Sequence, residues 1–265
     1  MNRGSVVERS DWQVFCDVNF ALLLRELKTR YGEYRLGYAW ALLDPLIAIG
    51  LFCIVFGLKQ RQLFGDVEAP VFIASGYLPF LLFKNCCSRL QKAVSANQNL
   101  FCFRQVTPFT TLFTRFLLES LIGMATLLIL IVALLWAGFN ALPTNPLEML
   151  AGLSLLLLFS FGLGTLFCII TSLFGEAEKF LAILMRPLMW ISAVFHPLSM
   201  VPQEYHSFFL WNPLVHALEL IRASWINHYP ESGASWSFLS ASTLICLCLA
   251  FSAYRLFHHR LVLSS

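Results

Sequence analysis

The chain has 265 residues, of which 58% are hydrophobic and only 12% are charged, and its formal net charge is +3. A soluble domain is nearer half apolar and a quarter charged, so this composition excludes an ordinary soluble protein. The runs 120–147, 149–175 and 232–254 contain no Asp, Glu, Lys or Arg. Since about 20 apolar residues cross a bilayer core, each run is long enough to span, and the sequence predicts an all-α integral membrane protein.

The first 35 residues form the predicted cytoplasmic N-terminus, with a helix over residues 10–31. The helix combines apolar side chains with a basic C-terminal end, a pattern that predicts an amphipathic helix lying at the inner headgroups. The apolar residues are Trp12, Phe15, Val18, Leu22 and Leu23, and the basic residues are Arg25, Lys28 and Arg30.

A single six-span transmembrane domain is predicted over residues 36–257, followed by a cytoplasmic tail at 258–265. The third span is longer than one crossing needs, so we expect it to tilt or to project into water. The predicted spans are 36–58, 70–91, 108–138, 147–173, 180–199 and 236–257.

The stretch 200–235 lies between the last two spans and is too apolar for a solvated loop. Proline-bounded pieces within it are too short to cross, so we expect two short helices that re-enter the outer leaflet; a plain belt of interfacial aromatic residues is the alternative. The stretch contains Tyr205, Phe208, Phe209, Trp211, Trp225 and Tyr229, with Pro202, Pro213 and Pro230 between them.

The distribution of basic residues predicts the orientation, because Lys and Arg are retained on the cytoplasmic side. With both termini inside, only Lys59, Arg61 and Arg222 of the 18 basic residues lie outside. The others lie at the inner side: Arg3, Arg9, Arg25, Lys28, Arg30, Arg35, Lys84, Arg89, Lys92, Arg104, Arg115, Lys179, Arg186, Arg255 and Arg260.

Several ionisable residues lie within the predicted spans: Asp44, Lys84, Arg115, Glu119 and Arg186. Their positions place them roughly 9–17 Å from the cytoplasmic boundary at the helical rise per residue. Charges at such depth usually face protein or water, which favours a basic entry zone for an anionic substrate. The alternative is that the cations reach lipid phosphates and that a neighbouring helix caps Asp44. Arg115 and Glu119 are four residues apart and can pair on one helical face.

The sequence contains no phosphate-binding loop, no nucleophile elbow and no zinc-protease motif. His216, Glu219 and Arg222 share a helical face, but on the outer side, where a structural polar network is favoured over catalysis. Most of the eight cysteines lie in apolar segments without metal-ligand spacing, so we expect small buried side chains and no metal site. Energy for uphill transport must then come from another subunit or an ion gradient, and a permease energised by a partner is favoured over an enzyme.

The chain resembles the permeases of type-2 ABC exporters along nearly its whole length, and especially the capsular-polysaccharide branch. Its opening block, with RELKTR followed by LGYAWALLDP, is typical of the superfamily, whereas NQNLF and NPLVHALEL point to capsule export. The similar segments are LLLRELKTRYGEYRLGYAWALLDPL (22–46), PVFIASGYLPFLLF (70–83), ANQNLFCFRQVTPFTTLFTRFLLE (96–119), ILMRPLMWISAVFHPLSMVPQEY (183–205) and WNPLVHALELIRASW (211–225).

This resemblance implies a homodimer in the bacterial inner membrane, resting on two separate subunits that bind ATP and Mg; this chain would hold no cofactor. The cargo would be a lipid-linked anionic polysaccharide, passed to periplasmic co-polymerase and outer-membrane export proteins, and no nucleic-acid partner is expected. The resemblance also assigns ATPase contacts to two segments, about 10–31 and 93–107. The residues so assigned are Arg25, Glu26, Lys28, Arg30, Asn97, Gln98, Phe101 and Arg104.

The predicted path runs between the first and fifth spans of two copies. Outer aromatic residues, including Trp211, Trp225 and Tyr229, would offer sugar rings contacts that tolerate sliding; interfacial anchoring is the alternative for each. Two other functions remain open at this stage: export of O-antigen or teichoic acid by the same mechanism, and an integral-membrane transferase acting on lipid-linked sugars.

Overall fold

The computed structural model describes residues 10–31, 43, 46–51, 54, 62–64, 67–230 and 233–263. Short 3-10 helices cover Ser95–Leu100 and Leu198–Met200, and residues 46–51 are helical. The α-helices are α1 (Asp11–Tyr31), α2 (Ala69–Gln91), α3 (Pro108–Trp136), α4 (Pro146–Leu173), α5 (Ala177–Ile191), α6 (Gln203–Phe209), α7 (Pro213–Trp225) and α8 (Trp236–Leu263). A two-stranded antiparallel hairpin, β1 (Gln62–Phe64) with β2 (Val67–Glu68), precedes α2 and adds a short strand pair to the predicted all-α fold.

Among the described residues, four helices are long and apolar enough to cross a membrane: α2, α3, α4 and α8. Their bounds confirm the second, third, fourth and sixth predicted spans as helices, although α8 continues to Leu263 into the segment predicted as a tail. The predicted first span, 36–58, falls largely outside the described residues. The chain is therefore an integral membrane protein.

Local sequence explains why α3 begins where it does. Pro108 occupies the first turn, where its missing N–H costs nothing, and Thr107 caps the helix by accepting a hydrogen bond from the Thr110 backbone N–H at 3.2 Å. The Thr110 hydroxyl reciprocates by accepting from the Thr107 N–H at 3.0 Å, which completes a capping box. This end of α3 carries the charged residues of the candidate site.

Helix α4 is the centre of the bundle and packs against α2, α7 and α8. Two glycines permit this close packing on different sides. A Cβ at Gly164 would lie 2.9 Å from Leu90 of α2, and one at Gly162 would lie 3.0 Å from the Cys246 sulfur of α8. Small residues at such crossings let membrane helices approach closely enough for dispersion to hold them together.

The loops and short helices sort to two ends of the bundle. At one end, β2 meets the α3–α4 loop, because Glu68 accepts a hydrogen bond from the Asn140 N–H, and the same loop contacts the end of α7 through Ser224 and Trp225. At the other end, α1 and the 3-10 segment adjoin the start of α3, where Leu261 of α8 is also buried. We call these the hairpin end and the α1 end.

The predicted fifth span, 180–199, is wrong as a continuous helix. Helix α5 stops at Ile191, and Ala193 adopts a left-handed backbone with φ of +54°. The carbonyls of Ala193, Val194 and His196 instead accept hydrogen bonds from Arg222 of α7. The predicted short helices in 200–235 are confirmed as α6 and α7.

Candidate coupling site and the outer polar cluster

Helix α1 is joined to the first turns of α3 by two reciprocal ion pairs. The Arg115 Nη2 lies 2.6 Å from Glu26 Oε1, and Arg30 pairs with Glu119. The Arg115 and Glu119 side chains are 10% and 5% exposed, so the α3 member of each ion pair is largely removed from solvent. The prediction that Arg115 pairs with Glu119 is therefore corrected, since among the described residues each is paired with α1.

Polar and aromatic contacts extend this seam along α1. The Thr114 hydroxyl donates to the Asn19 side-chain carbonyl at 2.8 Å, and the rings of Phe15 and Phe113 lie 5.7 Å apart. Arg89 of α2 adds a third cation, with its Nε 3.8 Å from Glu119. We call the contacts between α1 and α3, with Arg89, the inner seam.

The 3-10 segment between α2 and α3 is held against α1 from another side. Arg25 donates to the Asn97 side-chain oxygen at 3.0 Å, and Asn97 itself donates to the Ala93 carbonyl at 3.0 Å. Asn97 is buried, and Phe101 packs against the cluster of Leu90 and its neighbours. Asn97 is therefore an internal anchor, which corrects the prediction that it contacts a partner directly.

The side chains exposed at the α1 end differ from the set predicted to contact the ATP-hydrolysing subunits. Lys28 and Arg104 are exposed, as their predicted role requires, and Gln98 is half-buried. Phe103, which sequence reasoning missed, is 63% exposed at the turn before α3. An aromatic residue beside the arginine of a polar link was the available signal for it.

Two of the ionisable residues predicted within spans lie on open faces of the subunit. Lys84 of α2 and Arg186 of α5 are both exposed, and neither is among the residues of the inner seam. Asp44 lies outside the described residues. The predicted polar layer is thus divided between a paired, buried group on α3 and open cations on α2 and α5.

At the hairpin end, Arg222 is completely buried. Its guanidinium donates to backbone carbonyls just after α5, in place of the hydrogen bonds that a continuing helix would form. Its Nη1 donates to Ala193 O at 2.7 Å, its Nη2 donates to Val194 O, and its guanidinium stacks on the Phe72 ring at 4.5 Å. A Cβ added at Gly76 of α2 would collide with the Arg222 Nη2 and the Val194 oxygen, so the approach requires glycine.

Glu219 completes this cluster one turn before Arg222. Its Oε1 lies 3.2 Å from Arg222 Nη1 and accepts from the Leu198 N–H at 3.3 Å, and the Tyr229 hydroxyl donates to Oε2 at 3.0 Å. Burial raises the pKa of Tyr229, so its hydroxyl stays protonated and donates. Arg222, Glu219, Tyr229 and the carbonyls that follow α5 form a buried network that joins two of the three residues predicted to share a polar face. We call it the outer polar cluster, after the side predicted for it.

His216 lies on the same helix but joins different elements. The Ser235 N–H donates to its Nδ1 at 2.9 Å, so its Nε2 carries the proton and donates to Leu210 O at 2.8 Å. His216 thereby ties the α6–α7 corner to the start of α8.

The three outer aromatic residues have different environments. Trp225 is buried, with its indole N–H donating to Ala141 O at 2.8 Å, and Tyr229 is held by Glu219. The prediction that Trp225 offers a face to sugars is wrong for this reason: burial against the α3–α4 loop satisfies its only polar atom. Trp211 is 83% exposed.

Comparisons with known proteins place this arrangement in a family. Residues 18–226 match the model of the family described as ABC-2 type transporter. The chain is 39% identical over 235 residues to the polysialic acid transport protein KpsM of Escherichia coli, covering 89% of this chain and 91% of that one.

Two further relatives are capsule polysaccharide export inner-membrane proteins. BexB of Haemophilus influenzae is 29% identical over 86% of each chain, and CtrC of Neisseria meningitidis is 27% identical over 77% of each chain. The matched family region runs from within α1 through Arg115 and Glu119 of α3 to the end of α7, and it includes Glu219 and Arg222. The chain belongs to the ABC-2 type transporter family.

Proposed function

We propose that this chain is the permease subunit of an ATP-driven exporter that moves lipid-linked anionic capsular polysaccharide across the bacterial inner membrane. The observation that carries the proposal is its end-to-end similarity to permeases named for polysialic acid transport and capsule polysaccharide export. In this family the permease is a membrane subunit and ATP is hydrolysed by a separate subunit.

The proposed topology has six spans with both termini in the cytoplasm and α6–α7 re-entering the outer leaflet. The position of α8 supports this topology, because its C-terminal end lies at the α1 end of the bundle. Helix α1 and the end of α8 are therefore on the same side. Helix α5 has 15 residues, or about 22 Å, which is shorter than a bilayer core. The segment stabilised by Arg222 would complete that crossing, since irregular backbone within a membrane must be satisfied by protein groups.

The α1 end is the proposed docking surface for the ATP-hydrolysing subunits. Lys28, Phe103 and Arg104 are exposed there, and Arg25 is also exposed although it donates to Asn97. Glu26 and Arg30 are only partly exposed and hold α1 to α3 through their ion pairs. An exposed aromatic side chain next to a cation fits an apolar pocket with an acidic rim. Gln98 and Phe101 are proposed to support this turn.

A second copy of the chain is proposed to face the side that carries Lys84 and Arg186. Exposed residues on α3, such as Leu128 and Val132, are apolar and fit lipid, whereas an exposed cation in a spanning segment needs water or protein. The open cations on α2 and α5 therefore support a hydrated, basic path between copies, with Asp44 proposed beside it. Of the three aromatic residues predicted to contact sugar rings, Trp211 is the exposed one.

The proposal is tested by deleting the gene in its capsule-forming host. We expect polymer to accumulate inside the cell and surface polysaccharide to disappear, with restoration by the wild-type chain but not by a variant lacking residues 10–31. Purified complex should contain two permease and two ATPase subunits, with ATPase activity stimulated by the glycolipid. Normal surface capsule in the deletion strain contradicts the assignment; loss of O-antigen or another polymer instead redirects the cargo.

A further inference from the structure

The inner seam is built from two charge pairs that can exchange partners without leaving a charge alone. On α1, Glu26 and Arg30 are four residues apart, and on α3, Arg115 and Glu119 are also four apart. Residues at this spacing are neighbours on a helix surface, so each helix carries an acid and a base able to pair within it. The structure instead joins Glu26 to Arg115 and Arg30 to Glu119.

Breaking one ordinary buried ion pair leaves an uncompensated charge and is strongly unfavourable. Here separation of α1 from α3 brings each acid to the base on its own helix, so all four charges stay paired. The side chains of Glu26 and Arg30 are 22% and 17% exposed, which places them at the edge of the bundle where they can rotate toward water.

Arg89 makes the α3 side of this exchange net positive. Its Nε lies 3.8 Å from Glu119, and its backbone carbonyl accepts from Arg115 Nη1 at 3.0 Å. Glu119 therefore keeps a cation beside it on α2 when Arg30 withdraws. Among the residues that the structure describes, buried Arg115 Nε has no hydrogen-bond partner, so the guanidinium has donor capacity left for the alternative arrangement.

From this geometry we infer that Glu26, Arg30, Arg115 and Glu119 form a partner-exchange joint, with a docked state paired between α1 and α3 and a released state paired within each helix. The inference rests on the proposed function, because the force that shifts the joint would come from the ATP-hydrolysing subunits acting on α1. The four residues are positioning residues, and none is assigned a contact with the cargo.

Variants with exchanged charges distinguish the docked state from the released state. The double variant E26R/R115E keeps both pairs of the docked state with reversed sign in one of them, but places Arg beside Arg on α1 and Glu beside Glu on α3 in the released state. The quadruple variant E26R/R30E/R115E/E119R, made in an R89E background so that residue 119 keeps an opposite charge beside it, restores opposite charges in both states. A fixed structural clamp predicts that the double variant works as well as wild type.

We expect surface polysaccharide to fall roughly tenfold in the double variant, because both intrahelical pairs become repulsive. The quadruple variant should recover most of the loss, while both variants keep wild-type membrane levels and copurify with the ATPase. Wild-type export by the double variant, or no recovery by the quadruple variant at equal protein level, overturns the joint. Failure of the wild-type chain itself to restore export would instead overturn the proposed function.

A cross-link tests the same point if a swapped variant does not accumulate. Asn19 and Thr114 are in direct contact, so N19C/T114C in a C16S/C102S background places two thiols across the seam. A short thiol-specific cross-linker should hold the docked state and stop export, with recovery on cleavage of the link. Undiminished export by the cross-linked protein would show that export does not require α1 and α3 to separate, which overturns the inference.

Discussion

The inner seam and the outer polar cluster are both built on arginine and glutamate, yet they differ in what the arginines hold. At the inner seam, Arg115 and Arg30 pair with carboxylates on another helix, and every side chain has some exposure. In the outer cluster, Arg222 and Glu219 are fully buried, and the guanidinium is committed to backbone carbonyls. A side chain can change partners, whereas a carbonyl left without a donor in an apolar interior has no substitute. The first is therefore suited to movement and the second to a fixed structure.

The largest expected effect comes from Arg222→Leu. It leaves the Ala193 and Val194 carbonyls buried without their donor and the Glu219 carboxylate buried without its cation, at a cost of about 3–5 kcal/mol. Detergent-extracted protein should aggregate or elute heterogeneously in size-exclusion chromatography. Arg186→Leu, which removes an exposed cation, is the control and should elute as wild type. Equal stability of the two variants would show that the buried contacts of Arg222 contribute no more to the fold than an exposed cation does.

Gly76→Ala tests the packing of the outer polar cluster from the α2 side. The new methyl group would meet the Arg222 guanidinium and the Val194 oxygen, and overpacking in a rigid site costs about 3 kcal/mol at the upper end of its usual range. Thermal unfolding of the purified protein should shift downward clearly. Gly175→Ala, with nothing within 4 Å of its Cβ, should leave the midpoint in place.

Tyr229→Phe removes one donor from Glu219 while Arg222 and the Leu198 N–H remain. Loss of a hydrogen bond to a charged group predicts about 2 kcal/mol of destabilisation. The matched control is Tyr205→Phe, whose ring is 57% exposed at α6 and should unfold as wild type does. An unchanged midpoint for Tyr229→Phe would show that Glu219 does not need this donor.

At the inner seam, Thr114→Val deletes the hydrogen bond to Asn19 and keeps the side-chain shape. We expect a loss of about 1 kcal/mol, seen as faster proteolysis within α1. Thr111→Val is the control on the same helix, because within the described part of the chain Thr111 donates only to the Pro108 carbonyl one turn earlier. Protection of α1 equal to wild type would remove this contact from the seam.

The smallest effect is expected for Lys92→Gln. Lys92 pairs with Glu178 at 2.6 Å, but the side chains are 53% and 47% exposed, so solvent screening holds the contribution below about 1 kcal/mol. A double-mutant cycle with Glu178→Gln measures the coupling. A coupling free energy between Lys92 and Glu178 as large as the loss expected for Arg222→Leu would mean that burial does not determine how much these ion pairs stabilise the fold.

Sequence reasoning succeeded where a local signal was sufficient. Long apolar runs located α2, α3, α4 and α8 to within a few residues, apart from the C-terminal extension of α8, and proline spacing located α6 and α7. It failed where the partner lay far along the chain. The end of α5 depends on Arg222, which lies 29 residues beyond Ala193, and the burial of Trp225 depends on Ala141, which precedes it by 84 residues.

The site residues divide in the same way. Spacing alone favours a pair between Arg115 and Glu119, because it reports only neighbours on one helix. The docking of α1 brings Glu26 and Arg30 to the same charges and exchanges those partners. Nothing local in the chain distinguishes Asn97, which is buried, from Arg104, which is exposed.

Composition and hydrophobic run length by themselves determined that the chain resides in a membrane as a bundle of helices, because apolar length is a property of each segment alone. Tertiary packing alone decided which cations are paired, which are open, and where α5 ends. The physical reason is that a charge or a carbonyl in a low-dielectric interior takes its stability from the nearest complementary group, and only the folded chain determines which group that is.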